Sequence, residues 1–114
     1  MKDIEKVFKA VSDRNRLRIL KLLETRKMCV CELAFVLGIK QPSVSRHLRK
    51  LKAAGLVDNE QDGIWTNYII SRDGNPFSKE ILSQLRKWLN DDAVIKKDQE
   101  KADQADRTQL CQGR

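Results

Sequence analysis

The tightest restriction on the fold comes from residues 30–55, where two short helical segments are joined by only four residues. Apolar side chains recur at helical spacing over residues 30–37 and stop at Gly38, a residue suited to the left-handed position that ends a helix. The next segment begins at Pro42, which is favoured at the first position of a helix, and ends at Gly55. The residues that begin and end these two segments predict a helix-turn-helix unit.

Further helices and a hairpin are predicted around this unit. Two amphipathic helices precede it, with apolar stripes along residues 4–11 and 17–23, and the second has a basic back formed by Arg14, Arg16, Arg18 and Lys21. After Gly55 the apolar period changes toward two, and Asp62–Gly63 predicts the turn of a β-hairpin. A last helix carries a broad apolar stripe along residues 77–89. The predicted fold is mainly α with a β-hairpin wing, a winged helix-turn-helix.

The length and the charge of the chain limit the classes of function that it can have. A chain of 114 residues has room for one small domain, which excludes a multidomain enzyme. Residues 1–90 hold 18 basic and 10 acidic side chains, whereas residues 91–114 hold 5 and 6. We therefore assign 1–90 to the folded domain and 91–114 to a helix extension with a flexible tail. The basic domain indicates an acidic partner such as nucleic acid, and 34% charged residues argue against a membrane span.

The helix over residues 42–54 has the face that a DNA-reading helix requires. On a helical wheel Val44, Leu48 and Leu51 form its core side. The opposite side is polar or basic, and no acidic residue occurs between Lys40 and Lys52. Arginine recognises guanine by two parallel hydrogen bonds, and short hydroxyls reach base edges or phosphates. The residues predicted to contact double-stranded DNA are Gln41, Ser43, Ser45, Arg46, His47, Arg49 and Lys50.

His47 is the only histidine, and its place beside the core stripe favours a half-buried side chain or a phosphate contact. No Ser–His–Asp set or carboxylate pair accompanies it, so we predict that the protein is not an enzyme. The hairpin carries Asp58, Glu60 and Asp62 and has no basic residue. Because phosphates repel carboxylates, we expect the wing to serve mainly as a brace.

Three cysteines, Cys29, Cys31 and Cys111, are an odd number, and the N-terminus has no apolar signal segment. These features favour a cytoplasmic protein. In a reducing compartment the closely spaced Cys29 and Cys31 indicate metal binding or redox activity more than a structural disulfide. The alternative is that both are small buried apolar residues.

The segments SDRNRLRIL, CVCEL, QPSVSRHLRKLKAAGLV and DGIWTNYII occur in an order and spacing that resemble the ArsR/SmtB family of metal-sensing repressors, over about residues 3 to 90. The resemblance implies a homodimer paired through the first and last helices, here Ile4–Val11 and Phe77–Leu89. It also implies a repressor that occupies operator DNA and leaves it on binding a metal or metalloid.

CVCEL matches the thiolate site of arsenic, cadmium and lead sensors in that family, which makes Cys29 and Cys31 the expected ligands. Soft thiolates favour arsenite or antimonite over cadmium or lead. The arsenite pattern has a third cysteine where this chain has Ala34, so Cys111, solvent or a small thiol would complete the site. The zinc and nickel sensors of that family use Asp and His pairs on the last helix. Because His47, the only histidine of this chain, lies elsewhere, we expect no zinc site on the last helix.

Residues i and i+2 diverge on a regular helix or strand, so both sulfurs can bind one ion only if the chain rearranges. We therefore expect the ion to unwind the start of the third helix and so move the DNA-reading helix, and we expect the helix N-terminus to lower the thiol pKa values. Two alternatives stay open: a thiol redox switch at Cys29 and Cys31, and a protein-interaction module.

Overall fold

The structure is a computed structural model, and it describes residues 1–105. Within this range six helices and three short strands follow one another along the chain. Their bounds are α1 Lys2–Val11, α2 Arg14–Leu23, β1 Met28–Cys29, α3 Val30–Leu37, α4 Gln41–Ala53, β2 Val57–Asp62, β3 Trp65–Ile70, α5 Pro76–Leu85 and α6 Ala93–Ala102. No helix among these residues is long and apolar enough to cross a bilayer.

The helix-turn-helix unit forms as the helix-ending glycines and the helix-starting proline predict. Helix α3 ends at Gly38, whose φ of 70° lies in the left-handed region, and α4 has a proline in its first turn. Gly55, with a φ of 78°, follows the end of α4. The apolar stripe of α4, which consists of Val44, Leu48 and Leu51, is fully buried in a core shared with α1, α2 and α3. This burial fixes which side of α4 faces outward. The mainly α fold with a β wing is confirmed.

The sheet differs from the predicted hairpin in two respects. The two-residue turn is Gly63–Ile64 rather than Asp62–Gly63, because Asp62 still pairs with Trp65 in the ladder. A third strand, β1, joins β3, so the order is β1-β3-β2. In that pairing Cys29 lies opposite Asn67. A two-residue strand has too few side chains for a periodic pattern, so no sequence signal marks it.

Lys21 was predicted on the basic outer face of α2, and this prediction is wrong. The residue is fully buried, and its Nζ donates hydrogen bonds to the carbonyl oxygen of Leu85 at 2.6 Å and to Asn90 Oδ1 at 3.0 Å. Glu24 forms a salt bridge with the same ammonium group at 2.8 Å. A buried charge needs such partners. Lys21 thus fastens α2 to the end of α5.

The apolar stripe predicted to continue to Leu89 ends as a helix at Leu85, and Leu89 itself has a φ of 66°. Helix α6 follows, packs on α2 and α3, and buries Ile95. Asp98 accepts two hydrogen bonds of 2.8 Å from the Arg18 guanidinium, one on each carboxylate oxygen. This bidentate pair attaches α6 to α2.

Candidate functional site

The residues predicted to contact DNA lie on α4 and differ in their exposure to solvent. Arg46, Arg49 and Lys50 are exposed, and Gln41, Ser43, Ser45 and His47 are partly buried. Arg46 donates a hydrogen bond to Ser43 Oγ at 3.1 Å, which aligns the guanidinium along the first turns of the helix. The structure therefore brings all seven residues together on one helix, with its basic groups directed toward solvent.

One side-chain bridge fastens α4 to the elements behind it. The Arg16 guanidinium donates to the carbonyl oxygens of Ala10 at 2.7 Å and Lys9 at 3.2 Å, and its Nη1 lies 3.2 Å from His47 Nδ1. Asp13 Oδ1 accepts the Arg16 backbone N–H at 3.0 Å and caps α2. Arg16 thus joins the end of α1, the start of α2 and the middle of α4.

Burial lowers the pKa of His47, the charges of Arg16, Lys50 and Arg46 lower it further, and Asp13 acts in the opposite direction. A neutral imidazole suits the bridge, because Nδ1 can then accept a hydrogen bond from the arginine. His47 thus meets the expectation of a half-buried histidine. No local pattern marks its partner, since Arg16 is 31 positions away.

The acidic side chains of the wing are engaged with neighbours. Glu60 forms a salt bridge with Lys27 at 3.2 Å, and Asp58 accepts a hydrogen bond from Ser71 at 3.1 Å. Asn67 donates to Asp62 at 3.2 Å. Ile64 at the tip is 84% exposed. These contacts hold the wing together internally and tie it to the segment before β1.

Cys29 and Cys31 lie together in a small buried cluster against Trp65 of β3. Their exposed fractions are 2% and 3%. Cys29 is the N-cap of α3: its sulfur accepts the Glu32 backbone N–H, and Glu32 Oε1 accepts the Cys29 backbone N–H at 3.0 Å. This is a capping box in which a thiol occupies the position usually held by a hydroxyl.

Arg26 extends this box toward α6. Its guanidinium donates to Glu32 Oε2 at 2.9 Å and to the carbonyl oxygen of Ala102 at 3.0 Å. Burial alone would raise the pKa of the Glu32 carboxyl, but hydrogen bonds from Cys29 and Arg26 outweigh it, so that pKa lies below its usual value. Glu32 is therefore a carboxylate at neutral pH.

The thiol of Cys29 does not have the low pKa expected at a helix start, and that prediction is wrong. Burial raises the pKa of this thiol, the Glu32 N–H lowers it, and the Glu32 carboxylate raises it again. Desolvation and a nearby negative charge both disfavour the thiolate. Cys29 is therefore a protonated thiol at neutral pH.

A cleft of about 650 Å³ lies beside Cys31, between α3 and the first turn of α4. Ala34, Gln41 and Pro42 contribute to its lining. Within residues 1–105 no group of three or more cysteine, histidine or acidic residues is arranged to hold a metal ion. Cys111, the predicted third ligand, lies outside the described residues.

Comparison with known proteins identifies the family. The model of the bacterial regulatory protein arsR family matches residues 13–59. The arsenical resistance operon repressor of Escherichia coli K12 is 40% identical over 79 residues, covering 68% of this chain and 68% of that protein. The arsenic resistance transcriptional regulator ArsR2 of Pseudomonas putida KT2440 is 33% identical over 93 residues, covering 77% and 81%. The chain belongs to the ArsR family.

The fold agrees with this assignment. The homodimeric winged helix-turn-helix DNA-binding domain Mb0332 of Mycobacterium bovis superposes with a TM-score of 0.65 at 26% identity, covering 75% of this chain and 77% of that one. This ArsR-family protein is a DNA-binding transcriptional repressor rather than an enzyme, as its relatives and its fold show. Helix α4 is the second helix of its helix-turn-helix unit and is called the recognition helix below.

Proposed function

We propose that this ArsR-family repressor binds its operator as a homodimer and is released when arsenite or antimonite binds Cys29 and Cys31. The observation that carries the proposal is the position of Cys29, whose sulfur caps α3, the helix directly before the recognition helix. A ligand that takes this sulfur removes the cap, so capture of the ligand and the structure of α3 are linked.

The donor set suits a soft, thiophilic species. In the structure Cys31 is disulfide-bonded and burial keeps Cys29 protonated, so the proposal concerns the reduced protein. There two thiolates would favour arsenite or antimonite, and Trp65 packs against both cysteines. Cadmium and lead bind thiolates as well, but residues 1–105 supply only Cys29 and Cys31 as thiol donors here, which favours arsenite or antimonite. The third ligand is Cys111, solvent or a small thiol.

The chain can transmit the event through α3. When the Cys29 sulfur leaves the Glu32 N–H, the first turn of α3 loses its cap, which costs about 0.5–2 kcal/mol for ordinary N-cap residues. The strand pair Cys29–Asn67 is disturbed at the same time, because Cys29 belongs to both elements. Helix α3 packs directly on the recognition helix. A coupling of about 1–3 kcal/mol would weaken DNA binding 5- to 150-fold.

The DNA contacts are proposed on the outer face of the recognition helix. Arg46 and Arg49 are the candidates for bidentate contacts to guanine, Lys50 for a phosphate contact, and Gln41, Ser43, Ser45 and His47 for further base or phosphate contacts. The exposed basic groups and the buried opposite face of α4 support this assignment.

The homodimer is proposed through α1 and α5. These helices pack side by side, and the large apolar residues around them are exposed: Phe8 by 57%, Phe77 by 43% and Trp88 by 50%. Large apolar side chains exposed on neighbouring elements favour a protein interface there. That the structurally similar Mb0332 domain is a homodimer supports a dimer, without specifying the helices that form it.

One titration tests the proposal. The reduced protein is bound to a duplex that it has itself selected from a random library, and arsenite is added while fluorescence anisotropy reports release and absorbance reports thiolate bonding. Release that follows the absorbance change supports the proposal. Release by peroxide without release by arsenite would favour a thiol redox switch instead. Failure to select any duplex would favour a protein-interaction module.

A further inference from the structure

A second basic feature extends beyond the predicted DNA contacts and shares only Lys50 with them. A cleft of about 260 Å³ separates α1 from the second half of the recognition helix. Its lining includes four basic residues and no acidic one. The lining residues are Lys6, Lys9, Ala10, Arg16, Lys50 and Ala53. Two helices that meet at this concave surface thus present charge of a single sign.

We infer that this cleft binds a backbone phosphate of the same DNA duplex that the recognition helix reads, with Lys6 and Lys9 of α1 as its principal cations. The inference rests on the proposed DNA contacts of α4 and extends them to an element outside the helix-turn-helix unit. A phosphodiester fits because it is an anion that several lysines can contact without specific geometry.

The lysines are available for this role. Within residues 1–105, Lys6, Lys9 and Lys50 take part in no salt bridge. Arg16 forms the floor: its side chain is 11% exposed, and the nearest carboxylate oxygen, on Asp13, is 4.0 Å away. Most of the positive charge at the mouth of the cleft is therefore uncompensated.

The cleft is also continuous with the proposed DNA-binding face. Arg46, Lys50 and Ala53 follow one another at helical spacing along α4, so the row that starts at an exposed arginine runs into the cleft. The exposed basic residues of the recognition helix therefore lead without interruption by an acidic residue of α4 into the cleft.

The basic and acidic residues of α1 differ in whether they line the cleft. Lys6 and Lys9 line the cleft, whereas Asp3 and Glu5, the acidic residues of the same helix, do not. A randomly mixed charged face would place both signs around the opening. The segregation by sign supports an anion as the occupant.

Salt dependence provides the test. Binding of a selected duplex and of a random-sequence duplex is measured between low and high salt for the intact protein, for K6Q/K9Q and for the control K96Q/K97Q. The control removes the same charge from α6, where both lysines are exposed. We expect K6Q/K9Q to reduce the slope of log affinity against log salt by about 0.9 for each phosphate that the variant no longer neutralises. Both duplexes should weaken by the same factor, because a phosphate contact carries no sequence information.

A slope for K6Q/K9Q equal to that of K96Q/K97Q would overturn the inference. A second variant, Ala53→Glu, places a carboxylate in the cleft and should weaken both duplexes more than Ala93→Glu, a matched change at an exposed position. Equal effects of these two would also overturn it. Failure of the proposed DNA contacts of α4 gives a different result from failure of this inference. If those contacts were wrong, R46A/R49A would bind the selected duplex as tightly as the intact protein does.

Discussion

The recognition helix and the cysteine cluster are adjacent in the chain but opposite in physical character. The outer face of α4 is exposed, charged and ready to meet a polyanion, whereas Cys29 and Cys31 are about 97% buried against an indole ring. The outer face of α4 can contact DNA without a change in conformation, whereas the buried cysteines can bind an ion only after α3 opens. The difference indicates that DNA affinity depends on preformed charge, while inducer response depends on the cost of opening α3.

The largest expected effect concerns the preformed surface. Replacing Arg46 and Arg49 with alanine should weaken binding of a selected duplex by about 100-fold, since each bidentate contact to a base contributes about 1–3 kcal/mol. Anisotropy titration measures the effect, and binding of a random duplex should weaken less. A loss that is equal on both duplexes would show that these arginines contact only phosphates.

The next largest effect concerns the buried site. Cys29→Ser and Cys31→Ser should each abolish arsenite-dependent release, a loss of the full 5- to 150-fold response expected for a coupling of about 1–3 kcal/mol, while leaving DNA affinity within about twofold. The same anisotropy assay, with and without arsenite, gives both quantities. If either variant still releases the duplex at the concentration that acts on the intact protein, that cysteine is not a ligand. Cys111→Ser, tested in parallel, decides whether the third ligand comes from the chain.

A smaller effect separates the capping role of Cys29 from its ligand role. Serine retains an atom that can accept the Glu32 N–H, whereas alanine does not. The free energy of unfolding should therefore fall by about 0.5–2 kcal/mol in Cys29→Ala relative to Cys29→Ser, as measured by urea denaturation. Equal stability of the two variants would mean that the sulfur does not cap α3.

The smallest effect is the pH dependence of His47. Because the folded pKa of this imidazole lies below its unfolded value of 6.5, the neutral side chain favours the folded state above about pH 6.5. That contribution is lost as pH falls through the folded pKa. Urea denaturation at pH 7.5 and 5.5 should show a larger loss of stability for the intact protein than for His47→Gln. An equal loss would place the pH response elsewhere.

Sequence patterns located most of the elements because those elements have local causes. Gly38 and Gly55 end their helices with a positive φ, and the buried stripe of α4 follows directly from its spacing. The hairpin turn was displaced by one residue because Gly63 could serve as either the first or the second turn position, and ladder pairing decided between them.

The features that sequence patterns did not reveal depend on partners far away in the chain. Lys21 is indistinguishable in sequence from a solvated lysine, and its burial depends on the carbonyl of Leu85, 64 positions later, and on Asn90, 69 positions later, together with Glu24. The same is true of Asp98, whose pairing with Arg18 holds α6 in place. The raised pKa of Cys29 has a similar origin, since burial outweighs the helix N-terminus and periodicity does not show how much water a site excludes.

The amino-acid sequence on its own determined the helix-turn-helix unit, the basic face of α4 and the presence of two neighbouring cysteines, since each follows from residue types at fixed spacing within one element. Tertiary structure alone decided that Cys29 is a buried cap, that Arg16 bridges three helices and that α1 and α4 share a cationic cleft. Burial and charge density depend on which segments pack together, and those contacts join residues that are distant in the chain.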